Sequence, residues 1–133
     1  MKKVYCTIFD SYYLARGVMM LRSLERHGNA SDLTYVFCFD DHTLQVLRSL
    51  KIGKVIPVSL ADFETPELLK VKKERTVAEY CWTSKASAII HVIEKCNEPE
   101  CTYLDADLIF IKIQLVHLKS ILIRVFLSQN IDL

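Results

Sequence analysis

The chain has 133 residues, a formal net charge of +1 and a hydrophobic fraction of 51%. This length fits one compact domain, and the apolar content is sufficient for a core and argues against an intrinsically disordered chain. Because nucleic-acid binding needs a clustered positive surface, the near-neutral charge balance argues against a nucleic-acid partner.

The cysteines and the apolar runs indicate a cytoplasmic protein. The chain has five cysteines and no Cys-x-x-Cys pair, which predicts reduced thiols, several of them small buried residues, rather than a disulfide framework or a zinc site. No stretch approaches the roughly 20 uncharged apolar residues that a membrane helix needs, and the first apolar run ends at Asp10, too early for a signal peptide. We expect no transmembrane segment, and contact with a membrane only from its surface.

The first fifty residues predict two strands and two helices. Residues 3–9 are rich in β-branched and aromatic side chains, which is typical of a strand. Apolar residues then recur with helical spacing over residues 12–27, until a glycine ends the helix. Residues 33–39 are nearly all apolar, as expected of a strand that is covered on both faces, and residues 44–50 carry a second helical stripe.

The same alternation continues to about residue 110. Residues 54–59 predict a strand whose proline indicates the edge of a sheet or a bulge, and residues 61–76 are a charged surface excursion with a short helix. Thr83-Ser84 looks like the N-cap of a third long helix, which ends near residue 96, and residues 101–104 form a last strand. Alternating strands and helices predict an α/β fold with a mostly parallel sheet and right-handed crossovers.

The chain divides into a domain over residues 1–110 and a tail over residues 111–133. The tail is dominated by Ile, Leu, Lys and Arg and has no acidic residue before Asp132. It contains the material for a strand and a helix, but its apolar pattern is poorly phased. Its structure is therefore left open by the sequence.

Ligands of an open α/β sheet bind beyond the carboxyl ends of its strands. The three glycines form neither a GxGxxG nor a Walker A motif, which argues against a dinucleotide-binding fold of the usual kind and a P-loop enzyme. Asp105-Ala106-Asp107 follows the last strand. In an extended chain its two carboxylates face one side while Ala106 turns inward, and such oxygen pairs hold Mg²⁺ or Mn²⁺ beside a phosphate. The alternative is a solvated acidic turn, which the preceding buried strand makes the weaker reading.

Three further residues are candidates for ligand contact. Lys85 is expected in the first helical turn, where a cation opposes the helix dipole unless an anion such as phosphate compensates; an ordinary exposed lysine is the alternative. Asp10 can accept hydrogen bonds from a nucleoside, and Tyr12 can stack on a base. The alternative, helix capping by Asp10 with core packing by Tyr12 or Tyr13, is equally supported. Asp40 and Asp41 are expected to cap a helix on the far side of this site.

Four segments together resemble the N-terminal half of nucleotide-diphospho-sugar transferases, and specifically bacterial GT-A enzymes similar to the family-eight glycosyltransferases. These segments are residues 4–12, 21–24, 81–85 and 103–109. The resemblance implies a Rossmann-like GT-A fold with helices on both faces of the sheet. It also implies sugar transfer from a nucleotide-diphospho-sugar donor, often a UDP-sugar, to a saccharide or lipid-linked acceptor.

The resemblance assigns roles to individual residues. It implies that Asp105 and Asp107 bind Mn²⁺ or Mg²⁺ and the diphosphate. It also implies contacts with the donor nucleotide from Thr7, Asp10, Tyr12, Lys85 and Asp105. It assigns no catalytic base.

The resemblance fades at about Ile111, whereas members of the family continue with acceptor-binding strands and commonly a later metal-binding histidine. His117 lies too close to Asp107 for that role. We therefore expect a truncated or frameshifted copy that lacks the acceptor half. A catalytically inactive nucleotide-sugar-binding remnant is one alternative. The other is a haloacid-dehalogenase-like phosphatase with Asp105 as nucleophile, against which Leu108 stands where a hydroxyl residue is expected.

Overall fold

The computed structural model describes residues 3–106 and 124–126. Five strands, five α-helices and one short 3₁₀ helix lie in these ranges. In chain order they are β1 (Val4–Phe9), the 3₁₀ helix (Ser11–Tyr13), α1 (Leu14–His27), β2 (Leu33–Cys38), α2 (Asp41–Ser49), β3 (Val55–Ser59), α3 (Leu60–Phe63), α4 (Pro66–Lys72), α5 (Val77–Lys95), β4 (Glu100–Tyr103) and β5 (Arg124–Phe126).

The strands form one sheet in the order β3-β2-β1-β4-β5. The first four strands are parallel to one another, and β5 pairs antiparallel with β4, so the predicted mostly parallel sheet is confirmed. The chain builds outward from β1 to β3 and then crosses back to place β4 on the other side of β1. This reversal makes the carboxyl ends of β1 and β4 the topological switch point of the sheet.

The central strands are apolar throughout because helices cover both faces of the sheet. All six residues of β1 and five of the six residues of β2 are buried. On one face the strands pack against α5, and that core includes Cys6, Ile8, Phe37, Ala88, Ile89 and Val92. On the other face they pack against α1 and α2, and that core includes Tyr5, Phe9, Met20, Leu21, Val36 and Leu47. The predicted two-sided helix cover is confirmed.

The edge strand β3 and the segment after it agree with their sequence signals. β3 is only partly buried, and its Pro57 is accommodated because no further described strand pairs beyond it. Pro66 is the first residue of α4, and Thr65 caps that helix by accepting a hydrogen bond from the Leu68 N–H at 3.2 Å. The charged excursion thus contains two short helices, α3 and α4.

The start of α5 differs from the prediction. The helix begins at Val77, because Thr76 and Glu79 form a capping box: the Thr76 hydroxyl accepts from the Glu79 N–H, and the Glu79 carboxylate accepts from the Thr76 N–H. The prediction of an N-cap at Thr83-Ser84 is wrong. Both hydroxyls donate instead to the carbonyl four residues earlier in the same helix, at 3.0 and 2.7 Å.

The described cysteines behave mainly as small core residues. Cys6, Cys38 and Cys101 are buried, as predicted, and Cys96 is partly buried. Burial raises the pKa of the Cys38 thiol to about 12, and burial together with a hydrogen bond to Cys101 raises the pKa of Cys6 well above its ordinary value. The Cys6 and Cys38 thiols therefore stay protonated at neutral pH.

The predictions on membrane helices and on the tail can be compared with the structure only over the described residues. Within residues 3–106 and 124–126, no helix combines the length and the apolarity needed to cross a membrane. The tail contributes the short strand β5, and the rest of the 111–133 prediction lies outside the described residues.

Candidate functional site

The carboxyl ends of three parallel strands lie side by side at one edge of the sheet. Cys6 of β1 is opposite Tyr103 of β4, and the Leu104 N–H donates to the Cys6 carbonyl at 2.9 Å. On the other side, Phe9 of β1 is opposite Cys38 of β2. The loops that follow these strands, including residues 10–13 and 104–106, therefore lie at the same end of the sheet, where the sequence predicts the ligand site.

Asp10 organises the loop that follows β1. One carboxylate oxygen, Oδ1, accepts hydrogen bonds from the Tyr12 N–H at 3.0 Å and the Tyr13 N–H at 3.3 Å. The capping interpretation of Asp10 is confirmed, since these bonds begin the 3₁₀ helix. The second oxygen, Oδ2, accepts no hydrogen bond from the residues that the structure describes, so it is available to a ligand.

Tyr12 presents an aromatic ring to solvent. Its side chain belongs to a residue that is 85% exposed, so the core-packing interpretation is wrong. The Tyr13 ring meets the Tyr12 ring edge-on at a centroid distance of 5.1 Å, and the Arg16 guanidinium lies 5.9 Å from the Tyr13 centroid. A face of Tyr12 is therefore free to stack on a planar group.

Lys85 and Asp105 are brought together although they are 20 positions apart in sequence. The Lys85 Nζ lies 3.3 Å from the Asp105 Oδ1, and it also lies 5.3 Å from the centroid of the Tyr103 ring. Lys85 is the ninth residue of α5, so its predicted place in the first turn is wrong and a helix N-terminus is not part of its environment. Its long side chain nevertheless reaches the tip of β4.

Asp105 is suited to a divalent cation by its chemistry. Its side chain is 33% exposed and carries a second oxygen, Oδ2, besides the Oδ1 that Lys85 contacts. Hard carboxylate oxygens of this kind are the ligands that Mg²⁺ and Mn²⁺ prefer. Ala106 packs against the core under α1 and α2, as predicted. Asp107 lies outside the described residues, and among those residues no group of three or more His, Cys, Asp or Glu side chains can hold a metal.

Thr7 occupies a different environment from the other candidates. It is completely buried within β1, and its Oγ1 has no hydrogen-bond partner among the residues in the described ranges. Its predicted contact with a nucleoside therefore needs some opening of the structure around β1, and it stays a prediction.

Asp40 caps α2 and also contacts the loop that follows β1. Its Oδ1 accepts from the Thr43 N–H at 2.9 Å, which confirms the predicted cap of α2. Its Oδ2 accepts from the Ser11 N–H at 2.8 Å, so Asp40 contacts the loop after β1, although β2 lies on the opposite side of β1 from β4 and Asp105. Asp40 follows β2 as Ser11 follows β1, and the two parallel strands are neighbours. The sequence places Asp40 just after a strand, but its contact with Ser11 could be predicted only if β1 and β2 were known to be neighbours.

The electrostatics of Asp40 favour a permanent carboxylate. Partial burial acts to raise its pKa, but the hydrogen bonds from Thr43 and Ser11 stabilise the ionised form and outweigh burial. The pKa of Asp40 is therefore held well below its usual range. The Asp40 carboxylate therefore stays ionised at neutral pH.

Gly17 allows α1 to pack closely on the end of β1. A Cβ at this position would lie 2.5 Å from the Cε2 and Cζ atoms of the Phe9 ring, which is closer than real contacts allow. Only glycine therefore fits without a shift of the ring. The contact sets how closely α1 packs on the last residue of β1.

Two sequence relatives align with most of this chain but with only part of their own length. The chain is 36% identical over 111 residues to the uncharacterized protein YfnF of Bacillus subtilis (strain 168), and 36% identical over 107 residues to the uncharacterized protein YfnD of the same organism. The alignments cover 83% and 80% of this chain, but 36% and 34% of the relatives. The chain thus spans about a third of the length of these relatives. No protein-family model matches it.

A solved structure shares the fold. The apo form of the glycosyltransferase GlyE of Streptococcus pneumoniae TIGR4 superimposes with a TM-score of 0.53 at 19% sequence identity. The superposition covers 89% of this chain and 26% of that protein. The α/β sheet described above is therefore similar to part of a glycosyltransferase and consistent with a Rossmann-like fold.

Proposed function

We propose that this chain is the donor-binding part of a glycosyltransferase, which transfers a sugar from a nucleotide-diphospho-sugar to an acceptor. The observation that carries the proposal is the Lys85–Asp105 pair at the tip of β4, at the same end of the sheet as the loop of Asp10 and Tyr12. A cation, a carboxylate and an exposed aromatic ring at one switch point match the phosphates and the base of a nucleotide. The glycosyltransferase-like fold supports the same interpretation.

The nucleoside would bind at the loop that follows β1. The exposed ring of Tyr12 offers a stacking surface, and base–aromatic stacking contributes roughly 1–3 kcal/mol. The free Oδ2 of Asp10 can accept a hydrogen bond from the base or the ribose. Thr7 is retained in this proposal as a nucleoside contact on the strength of the sequence resemblance alone. We propose a uridine nucleotide on the same basis.

The diphosphate would bind at the tip of β4. In this proposal Asp105 and Asp107 hold a Mn²⁺ or Mg²⁺ ion, which, when bound, neutralises the charge that develops on the departing diphosphate. Lys85 balances the charge of Asp105 in the free protein at 3.3 Å, and it can turn its ammonium group to a phosphate oxygen when the donor binds. The pair is thus a preorganised phosphate-binding position.

The acceptor is a separate part of the proposal. The chain spans about a third of its relatives' length, and no described residue is assigned as a catalytic base. We propose a saccharide or a lipid-linked saccharide as the acceptor class. Turnover by the whole transferase remains part of the proposal rather than a property of the described domain.

The proposal is tested by calorimetric titration of the chain with UDP in the presence and absence of Mn²⁺. We expect metal-dependent binding in the wild type and loss of the metal dependence in Asp105→Asn. Asp41→Asn is the matched control, since it makes the same change on an exposed carboxylate of α2. Absence of binding to UDP, and likewise to ADP, GDP and CDP, refutes the donor-site assignment. Hydrolysis of an aryl phosphate that is lost in Asp105→Asn would instead identify a phosphatase.

A further inference from the structure

We infer that Asp40 is a positioning residue, which holds the loop of residues 10–13 in the conformation that presents Tyr12 at the site. The inference concerns the order of this loop in the free protein. It rests on the proposed function only for what the loop then binds.

One carboxylate joins two elements that are far apart in sequence. Asp40 Oδ2 accepts from the Ser11 N–H at 2.8 Å, across 29 positions, while Oδ1 accepts from the Thr43 N–H at 2.9 Å. Each bond joins a full charge to a backbone N–H, and such charge-assisted bonds are shorter and stronger than neutral ones. The loop after β1 is thereby attached to the first turn of α2.

The loop needs external acceptors because it is a single turn. The first N–H groups of any helix have no partner within it, and the 3₁₀ helix has only three residues. Asp10 Oδ1 accepts from Tyr12 and Tyr13, and Asp40 Oδ2 accepts from Ser11. All three N–H groups of the turn are thus held by two carboxylates.

Packing does little to hold Tyr12 in place. At 85% exposure its ring has few neighbours, and the edge-on contact with Tyr13 comes from the same loop. The orientation of the ring therefore depends on the backbone bonds of the turn. Removal of the Asp40 bond to Ser11 is expected to loosen the part of the turn that precedes Tyr12.

Two substitutions separate this bond from the cap of α2. In Asp40→Asn the amide oxygen can still accept from the Thr43 N–H, since asparagine is a good N-cap, but the remaining NH₂ group cannot accept from Ser11. Ser11→Pro removes the donor N–H together with the Ser11 hydroxyl, and its ring occupies the space of the bond, so the Asp40 carboxylate must turn away from the loop. Proline is favoured at the first helical position, and the extended backbone of Asp10 (φ −113°, ψ −173°) is compatible with a following proline. Asp41→Asn again makes the matched change of charge on α2.

The experiment measures amide hydrogen exchange by NMR without nucleotide, and then UDP affinity with Mn²⁺. In Asp40→Asn and Ser11→Pro we expect about tenfold faster exchange at Tyr12 and Tyr13 and about tenfold weaker UDP binding. Exchange in β1 and all values for Asp41→Asn should match the wild type. Accelerated exchange throughout the domain would indicate a general structural role and overturn the inference.

The two claims fail in different ways. Unchanged exchange at Tyr12 and Tyr13 in both variants overturns the positioning role, whatever the protein binds. Faster exchange in both variants, combined with no nucleotide binding by the wild type, supports the positioning role and refutes the proposed function. Faster exchange with unaltered UDP affinity shows that the loop is not part of the donor site, which overturns the inference as stated.

Discussion

Replacement of Lys85 by methionine separates the binding role of its ammonium group from its contribution to stability. Methionine retains a long apolar side chain, so the packing of the lysine stem in α5 is largely preserved. The substitution removes the ion pair with Asp105 at 3.3 Å and the contact with the Tyr103 ring at 5.3 Å. The effect on stability can be estimated from the exposure of the pair, and the effect on binding from the strength of a hydrogen bond to a charged group.

The stability effect should be small. The side chains of Lys85 and Asp105 are 27% and 33% exposed, so water screens the pair, and ion pairs near the surface contribute about 0.2–1 kcal/mol. That loss lowers the unfolding midpoint by no more than about 5 °C for a domain of this size. The binding effect should be larger, because a hydrogen bond to a charged group contributes about 1.5–3 kcal/mol, which corresponds to roughly 10–150-fold in affinity.

The assay is calorimetric titration with UDP and Mn²⁺, together with thermal unfolding of the same samples. Lys85→Met should bind at least tenfold more weakly while it unfolds within a few degrees of the wild type. Lys95→Met, on an exposed lysine at the end of the same helix, serves as the control. Wild-type affinity in Lys85→Met, or an equal loss in Lys95→Met, would show that the Lys85–Asp105 pair is structural and not a phosphate position.

Three further sets of variants test other parts of the structure. Tyr12→Ala should weaken UDP binding by about tenfold and Tyr12→Phe much less, because stacking needs only the ring. Both variants should unfold like the wild type, since the residue is 85% exposed. Equal losses of affinity in the two variants would refute stacking. Gly17→Ala should lower the free energy of unfolding by about 1–3 kcal/mol in urea titration, because its Cβ would lie 2.5 Å from the Phe9 ring; wild-type stability would show that the ring yields freely. Thr76→Ala should lower the free energy of unfolding by about 1 kcal/mol through loss of the capping box, whereas Thr83→Ala should change it by less than about 0.5 kcal/mol. A larger effect of Thr83→Ala than of Thr76→Ala would support the helix start predicted from the sequence.

The strands and most helices could be predicted because their signals are local. Residues 3–9 predict a strand and residues 33–39 a strand covered on both faces, and the structure has Val4–Phe9 and Leu33–Cys38. An uninterrupted apolar run of this length is stable only where both faces are covered, so the run itself indicates a parallel sheet between helix layers. The edge position of the proline-containing strand followed by the same kind of reasoning, since proline cannot donate to a neighbour.

The start of α5 shows how a local signal can mislead. Thr83 and Ser84 are typical N-cap residues, but their hydroxyls are equally satisfied inside a helix by the carbonyl four residues earlier. The pair Thr76 and Glu79 had the spacing of a capping box and was the stronger signal. The wrong helix start predicted Lys85 in the first turn of the helix. In the structure Lys85 lies in the interior of α5 and is a candidate because it contacts Asp105 after β4.

The amino-acid pattern alone specifies an α/β chain, its alternating elements and an acidic residue directly after a buried strand. It does not specify which strands are neighbours, because apolar runs look the same in every strand order. The order β3-β2-β1-β4-β5 arises from packing and crossover connections. That order brings Asp40 to Ser11 across 29 positions of sequence, and the packing of α5 on the sheet brings Lys85 to Asp105 across 20. The contacts on which the candidate site depends are therefore tertiary, since they exist only where the ends of parallel strands meet.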